Sequence, residues 1–369
     1  MFKTIKNALK TPDVRKRLLY TLILIVLFRL GCYITVPGVN MITLNDSMSS
    51  SNGIAGFIDI ISGGAFSRFS VFAMSVSPYI TASIVVQLLT MIIPSLERIS
   101  KEGGEEGRKI MNRWTKIITI ILALVEAIGI YLSYRKAGIF INEGWLTGIL
   151  VVSSLVAGTS LLMWLGEQIT SKGIGNGISM IIFIGIISGL PGAVTTIWNL
   201  IVTSSGFSTI GLITAIGIII GAIILVSGVV FVQQAERRVP VQYSKKVVGR
   251  KMVGAQSTFI PLKLAMAGVM PVIFASSFMT FPAMIISMFA DVENLSGFWS
   301  GVYKFSIATS SSSVGWGYSL ANAIVYLLLI VAFTFFYTYA TFNPAEVSNN
   351  IKKNGGFIPG IRAGKPTTE

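Results

Sequence analysis

Charged side chains inside the apolar stretches of this sequence are the first residues whose chemistry matters. Arg29 and Glu126 each lie within an apolar run, and Glu167 lies near the end of another. Ionisable groups at membrane depth usually mark a transport pathway or a proton relay. These three residues are too few and too scattered to form a relay, so the sequence gives little support to proton-coupled transport.

Residues for hydrolytic, redox or nucleotide chemistry are sparse. The 369 residues include no histidine and one cysteine, Cys32, which argues against a zinc, copper or haem site and excludes an internal disulfide. No serine–base or carboxylate pair suits an intramembrane hydrolase, and the phosphate-binding pattern GxxxxGKS/T does not occur. We therefore expect no catalytic residue, metal or cofactor, and a partner must supply any energy from ATP.

The elements that carry these residues are long apolar stretches, which predict an all-α, polytopic membrane protein. Hydrophobic residues make up 53% of the chain and charged residues 12%, whereas a soluble domain carries about 25% charged residues. A helix needs about 20 mostly apolar residues to cross the hydrocarbon core. Eight stretches meet that requirement: 18–36, 70–93, 115–134, 149–169, 176–198, 208–232, 264–290 and 318–342.

Basic residues are concentrated on alternate loops. Of the 29 Lys and Arg residues, 24 lie in the N-terminal arm, in the loops at 98–116 and 237–263, at Lys172 or in the tail after residue 350. Basic loops stay in the cytoplasm, so this pattern places the N-terminus and residue 369 there. The net charge of +14 also suits anionic lipid, ribosomal RNA or an acidic protein as a partner, although topology alone explains the bias equally well.

Two of the basic segments, 233–263 and 343–369, are longer than a connector requires. In the first, apolar residues alternate with polar ones around Val241 and predict a β-hairpin closed by Gly249 and Arg250. A rigid, basic hairpin that projects from the membrane would suit the docking of a partner.

Residues 53–68 break the membrane pattern, because this apolar segment is too short to cross and ends in the pair Gly63 and Gly64. One interpretation is a re-entrant segment, which must be buried in protein or line a cavity. The other is an amphipathic helix on the membrane surface, and periodicity alone slightly favours it.

Five long motifs of unusual composition are spread along the chain. They are SGGAFSRFSVFAMSVSPYITASIVVQLL (62–89), EGGEEGRKIMNRWTK (102–116), GTSLLMWLGEQITSKGIGNGISMIIF (158–183), GAQSTFIPLKLAMAGVMPVIFASSFMTFP (254–282) and FNPAEVSNNIKKNGGFIPGIRAGKPT (342–367). In this order they resemble the SecY/Sec61α family of protein-translocation channels. A chance match to all five in order is not credible.

The resemblance implies a central, pore-forming channel subunit and not an enzyme. Such a channel passes unfolded polypeptides across the bacterial cytoplasmic (inner) membrane and releases hydrophobic segments laterally into lipid. The family fold has two inverted halves of five spans each. On that fold, residues 1–198 form the first half with its plug at about 53–68, residues 199–342 hold three spans of the second half, and residues 343–369 form a cytoplasmic loop. The family's last two spans do not appear, so we expect a fragment of a longer subunit.

The family's functional residues are carried over by motif. The resemblance implies a pore ring, a hydrophobic constriction that excludes water and ions, at Ile80, Ile84, Ile182 and Ile273. It implies a plug that includes Ile58, Ile60, Ile61, Gly63 and Gly64, with the two glycines as its hinge. The lateral gate would include Gln87, Ser277 and Phe281, and the docking residues would be Arg237, Arg238, Arg250, Lys251 and Arg362. Without the motifs, each isoleucine would be interpreted as an ordinary packed or lipid-facing residue.

The same resemblance implies the partners. They are the SecE and SecG subunits, the SecA motor ATPase, the ribosome, signal sequences and preproteins, and anionic lipids, with no role for DNA. SecA, the ribosome or the membrane potential would then supply the energy.

Three other classes of protein remain as alternatives. A secondary transporter of small solutes shares the hydropathy and broken helices, but it should show midplane charges or polar clusters that coordinate ions. A membrane-embedded enzyme should show a catalytic set. A non-conducting fragment that only binds partners is consistent with the missing spans.

Overall fold

The structure of the protein is a computed structural model that describes residues 10–44, 59, 62–136, 138–142, 144–203, 206–207, 209–243, 246–248, 251–253, 257–289, 297–308, 315–342, 344–362 and 364–368. Among the residues assigned above to a site, Ile58, Ile60, Ile61 and Arg250 lie outside the described residues.

Helices dominate the described residues. The earlier ones are α1 (Pro12–Gly31), α2 (Ser77–Ile92), α3 (Pro94–Glu102), α4 (Gly104–Lys136), α5 (Trp145–Lys172), α6 (Gly177–Ile187) and α7 (Leu190–Ile201). The later ones are α8 (Thr209–Gln234), α9 (Met270–Phe289), α10 (Gly297–Ile307), α11 (Trp316–Thr341), α12 (Pro344–Lys353) and α13 (Lys365–Thr368).

Within the described residues, five helical stretches are long and apolar enough to cross a membrane: Gly104–Arg135, Trp145–Lys172, Gly177–Ile201, Thr209–Gln234 and Trp316–Tyr339. The prediction of an all-α, polytopic membrane protein is therefore confirmed. All eight predicted spans contain helix, and α2 and α9 contribute the shorter apolar stretches Ser77–Thr90 and Met270–Ala283.

The predicted second span begins later than the sequence indicated. Helix α2 starts at Ser77 and not at residue 70, because the chain before it pairs with the segment that follows α1. Thr35 and Ser70 form an antiparallel bridge, and the Val71 N–H donates to the Ile34 carbonyl at 2.9 Å. These contacts hold residues 70–76 in an irregular conformation against the chain that follows α1.

The predicted fifth span is divided, since α6 ends at Ile187 and α7 begins at Leu190. Asn176 caps the start of α6, where its side chain accepts hydrogen bonds from the Ile178 and Ser179 N–H groups. The predicted seventh span also begins late, at Met270 and not at residue 264.

The described residues form two compact units. One comprises Met1–Thr195 and Ser276–Val325, and the other comprises Thr196–Ala275 and Tyr326–Glu369. The division into family halves at residues 198 and 342 stays a prediction.

An aromatic cluster anchors the first unit between the plug region and α2. The Phe69 ring lies edge-on to Tyr134 at 5.3 Å and to Phe140 at 5.9 Å between ring centroids. Nearby, Phe28 of α1 stacks on Phe72 at 6.0 Å. Because aromatic residues bury large apolar areas, these contacts fix residues 65–76 firmly to the helical core.

The second unit carries a small sheet with the strand order β6-β3-β7. The strands of the chain are β1 (Val202–Thr203), β2 (Gly206–Phe207), β3 (Glu236–Tyr243), β4 (Lys246–Val248), β5 (Lys251–Val253), β6 (Ser257–Lys263) and β7 (Gly356–Phe357). Strand β3 pairs antiparallel with β6, and β4 pairs antiparallel with β5, which confirms the predicted hairpin. Strand β7, from the tail, was not predicted.

Candidate functional site

The base of the predicted plug is a tight turn at Gly63 and Gly64. Both residues have positive φ, 68° and 83°, a conformation that favours glycine. A methyl group at Gly63 would overlap Ser188, Arg29 and the Gly185 carbonyl, whereas one at Gly64 would meet nothing within 4 Å. Only Gly63 therefore needs glycine for a close approach as well as for its backbone conformation.

Two donors from other elements converge on the carbonyl oxygen of Gly63. The Arg29 Nη1 of α1 donates to it at 3.0 Å, and the Ser188 Oγ, just after α6, lies 3.3 Å away. The sequence singled out Arg29 as an intramembrane charge but gave no partner for it. It gave no indication of Ser188, whose only signal is its place where a long apolar run is interrupted before Gly189.

Short-range hydrogen bonds make the plug base compact. The Asp59 carbonyl accepts from the Gly64 N–H at 3.0 Å and from the Ser62 Oγ at 3.1 Å. The Asp59 carboxylate accepts from the Ser67 N–H at 2.8 Å. The Ser62 hydroxyl in turn accepts from the Phe66 N–H at 3.1 Å. These bonds tie Asp59 and residues 62–67 into one unit.

The four residues predicted for the pore ring lie on three helices. Ile80 and Ile84 are one turn apart on α2, Ile182 is on α6, and Ile273 is on α9. Ile80 is buried, and the other three are half-buried. Their assignment to a ring stays a prediction.

The predicted gate residues lie on α2 and α9. Gln87 and Ser277 are half-buried, and Phe281 is exposed. Pro282 lies inside α9 and cannot donate a backbone hydrogen bond. Two residues earlier, the Thr280 hydroxyl lies 3.1 Å from the carbonyls of both Ser276 and Ser277. Since proline and back-bonded threonine both weaken the regular helical ladder, α9 has a built-in point of bending beside Ser277.

The predicted docking residues differ in whether their side chains already contact other residues of the chain. Arg238 binds the Glu236 carboxylate at 2.7 Å, and its guanidinium lies 4.9 Å from the centre of the Phe259 ring. Arg237 points to the opposite face of β3, since neighbouring side chains alternate along a strand, and it is exposed. Lys251 begins β5. Arg362 is exposed in the tail.

The tail is attached to the hairpin by strand pairing. Gln242 pairs with Phe357 and Tyr243 with Gly356, which adds β7 to the free edge of β3. The Ser348 hydroxyl of α12 donates to the Gly364 carbonyl at 2.7 Å and is buried. The two long basic segments, which are about 80 residues apart in sequence, thus share one sheet.

Glu167, which lies near the end of a predicted span, has a basic partner. The Lys116 Nζ lies 2.7 Å from the Glu167 carboxylate and joins α4 to α5. The described residues contain no group of three or more His, Cys, Asp or Glu side chains that could hold a metal ion.

Comparison with protein families and curated sequences gives a consistent result. A family model described as SecY matches residues 70–369. The chain is 39% identical over 382 residues to the protein translocase subunit SecY of Streptomyces scabiei, covering 100% of this chain and 84% of that relative. It is 42% identical over 373 residues to the protein translocase subunit SecY of Halalkalibacterium halodurans, covering 100% of this chain and 83% of that relative.

Solved structures share the fold at lower identity. A structure described as "The structure of a protein conducting channel" matches with a TM-score of 0.63 and 20% identity, over 96% of this chain and 80% of that one. A SecY structure described by its plug domain, which stabilises the closed state of that channel, matches with a TM-score of 0.64 and 21% identity, over 96% and 79%. Sec61 in the canine ribosome-channel complex matches with a TM-score of 0.59 and 20% identity, over 94% and 77%.

Proposed function

The chain belongs to the SecY family and is a channel subunit of the protein translocase, and from this premise we propose which residues carry the passage of a polypeptide. The subunit is a channel and not an enzyme. The observation that carries the assignment is the match over the whole chain at about 40% identity. The matched length includes the turn at Gly63 and Gly64 and the sheet formed by β3, β6 and β7. 

In the resting state, the ring of Ile80, Ile84, Ile182 and Ile273 closes the pore to water and ions. A narrow apolar passage excludes ions by dewetting, and its side chains form no hydrogen bond that a passing chain must break. The plug closes the same passage from the outer side and turns on Gly63 and Gly64. Support for the hinge comes from the positive φ of both glycines.

The lateral gate opens beside α2 and α9 and releases hydrophobic segments into lipid. Gln87 and Ser277 would make weak polar contacts across the closed gate, each of about 1 kcal/mol. Pro282 in α9 supports this assignment, because a helix without one of its backbone hydrogen bonds bends more easily. An entering signal sequence would then replace protein contacts with its own apolar side chains.

The docking sheet formed by β3, β6 and β7 receives the partner that supplies energy. Arg237 on β3 and Arg362, five residues after β7, are both exposed and can pair with carboxylates of the SecA motor ATPase or with ribosomal phosphates. SecE and SecG would complete the complex in the bacterial cytoplasmic membrane, and anionic lipid would surround its basic face. The N-terminus and residue 369 lie in the cytoplasm by the charge bias of the loops.

A reconstitution assay tests this function. The full chain, assembled with SecE and SecG in proteoliposomes, is expected to translocate a preprotein when SecA and ATP are present. Liposomes without the chain, and liposomes without ATP, are the controls. Uptake of small solutes without any protection of the preprotein from external protease would contradict the channel function and favour a solute transporter.

A further inference from the structure

We propose that Arg29 and Ser188 form a clasp that holds the plug in its closed position by donating hydrogen bonds to the carbonyl oxygen of Gly63. The clasp is defined as Arg29 Nη1, Ser188 Oγ and Gly63 O, and it rests on the plug assigned above. Arg29 on α1 and Ser188 next to α6 would be positioning residues, and neither belongs to the predicted pore ring or lateral gate.

Arg29 needs a partner because it lies in the first predicted span. Arg29 lies within the predicted span 18–36 and is half-buried. A guanidinium at membrane depth is costly unless it pairs with another group or reaches water. No carboxylate lies within ion-pair distance of Arg29 in the described part of the chain. Its guanidinium lies beside the buried Cys32 thiol and donates to the Gly63 carbonyl at 3.0 Å.

The hydrogen bond from Arg29 to the Gly63 carbonyl is the stronger of the two bonds in the clasp. A hydrogen bond from a charged donor is about twice as strong as one between neutral groups. Ser188 contributes less, because its single hydroxyl proton is shared between the Gly63 carbonyl at 3.3 Å and the Gly185 carbonyl at 2.6 Å. Arg29 is therefore the main donor of the clasp, and Ser188 is the secondary one.

Gly63 lies between two segments of the chain. On one side of it, residues 65–76 are fixed to the aromatic core by Phe66, Phe69 and Phe72. On the other side lies the predicted plug. A contact at Gly63 thus acts at the boundary between the segment fixed to the core and the segment assigned to the plug.

The clasp also lies next to a helix of the predicted ring. Ser188 follows directly after α6, the helix that carries Ile182. If a passing chain displaces α6, the Ser188 hydroxyl moves away from Gly63 and leaves Arg29 as the one remaining donor of the clasp. The clasp therefore makes the hold on the plug sensitive to the helix that lines the ring.

Leak through the resting channel tests the clasp. The full chain is reconstituted with its partner subunits, and ion leak is measured in the absence of preprotein for the wild type, Arg29→Gln, Arg29→Lys and Ser188→Ala. Arg29→Gln is expected to raise the leak about tenfold, because losing a hydrogen bond from a charged group shifts an equilibrium by that factor. Ser188→Ala should raise it less, and Arg29→Lys should restore part of the seal.

Arg68→Gln is the matched control for charge. Arg68 is exposed near the same turn. Its guanidinium lies over the Tyr33 ring, 4.3 Å from the ring centre, and is not one of the donors to the Gly63 carbonyl. Its loss should leave the leak unchanged. Equal leak from Arg29→Gln and Arg68→Gln, with both proteins folded, would overturn the clasp.

Hydrogen exchange gives a readout that does not depend on transport. Amides of residues 62–67 should exchange faster in Arg29→Gln than in the wild type, and unchanged exchange would overturn the clasp even if the channel conducts. If Arg29→Gln fails to fold, Gly63→Ala is compared with Gly64→Ala. Both place alanine at positive φ, but only the first displaces the two donors. Failure of the wild type to translocate would instead count against the proposed function, whatever the exchange shows.

Discussion

Two buried residues other than glycine, Phe69 and Ser75, adopt a left-handed backbone conformation, with φ of 45° and 50°. Such a conformation costs a residue with a side chain about 1–2 kcal/mol. Ser75 adds a second cost, because its buried hydroxyl has no hydrogen-bond partner in the part of the chain that the structure describes. The strain lies just before α2, the helix that carries two of the predicted ring residues.

Replacing Ser75 with glycine should therefore stabilise the protein. Glycine removes both the steric cost of positive φ and the unpaired hydroxyl, so we expect the free energy of unfolding to rise by about 1 kcal/mol after the entropy cost of glycine is subtracted. The measurement is thermal unfolding of the detergent-solubilised protein. Ser77→Gly, in the first turn of α2, is the control and should destabilise it, and a lower melting temperature for Ser75→Gly would contradict the account.

At the level of secondary-structure elements, the pairing of β7 with β3 bears on which basic residues are available to the proposed partner. Strand β7 pairs with β3, so the tail that carries Arg362, five residues after β7, is attached to the hairpin. Arg238 is partly neutralised by Glu236 on its own strand, an exposed pair that contributes at most about 1 kcal/mol. Arg362 and Arg237 are thus the stronger candidates for pairing with a partner.

Reversing the charge of Arg362 should block motor-driven export. Arg362→Glu replaces a guanidinium, which can donate several hydrogen bonds, with a carboxylate that an acidic partner surface repels. We therefore expect SecA-dependent translocation to fall at least tenfold. Insertion of the subunit into the membrane should not change, because the residue lies outside the spans. Lys365→Glu makes the same change in charge three residues away and should have a smaller effect; equal loss in both variants would indicate a general effect of charge.

The helices and the hairpin could be predicted from sequence because their signals are local. Apolar length marked the spans, and alternation around Val241 marked the hairpin. Strand β7 could not be predicted, since Gly356 and Phe357 form too short a run to carry a pattern. The late start of α2 and the contact between Arg29 and Gly63 depend on residues distant in sequence, and no local pattern encodes such pairings.

At the level of the whole molecule, the basic loops predict which side of the membrane each end faces. The sequence has a single cysteine, Cys32, which is buried. Cys32→Ser therefore gives a background free of thiols in which single cysteines report on topology.

In that background, Lys10→Cys and Lys353→Cys should react with a membrane-impermeant thiol reagent only from the cytoplasmic side. Lys304→Cys on α10 should react only from the outside. Both expectations follow from the rule that basic loops remain in the cytoplasm. The accessibility of each cysteine is measured by labelling intact cells and inverted vesicles. Labelling of Lys10→Cys and Lys304→Cys from the same side of the membrane would contradict the topology.

The pairing of β7 with β3 also sets an order of events during synthesis. Tyr243 leaves the ribosome before α9 and α11 are made, and its partner Gly356 leaves after both. The proposed docking sheet is thus completed only once those two helices have been synthesised. A half-made subunit carries the hairpin but not the third strand, so on the proposed docking role the order of the chain would keep the motor from a channel that is still being synthesised.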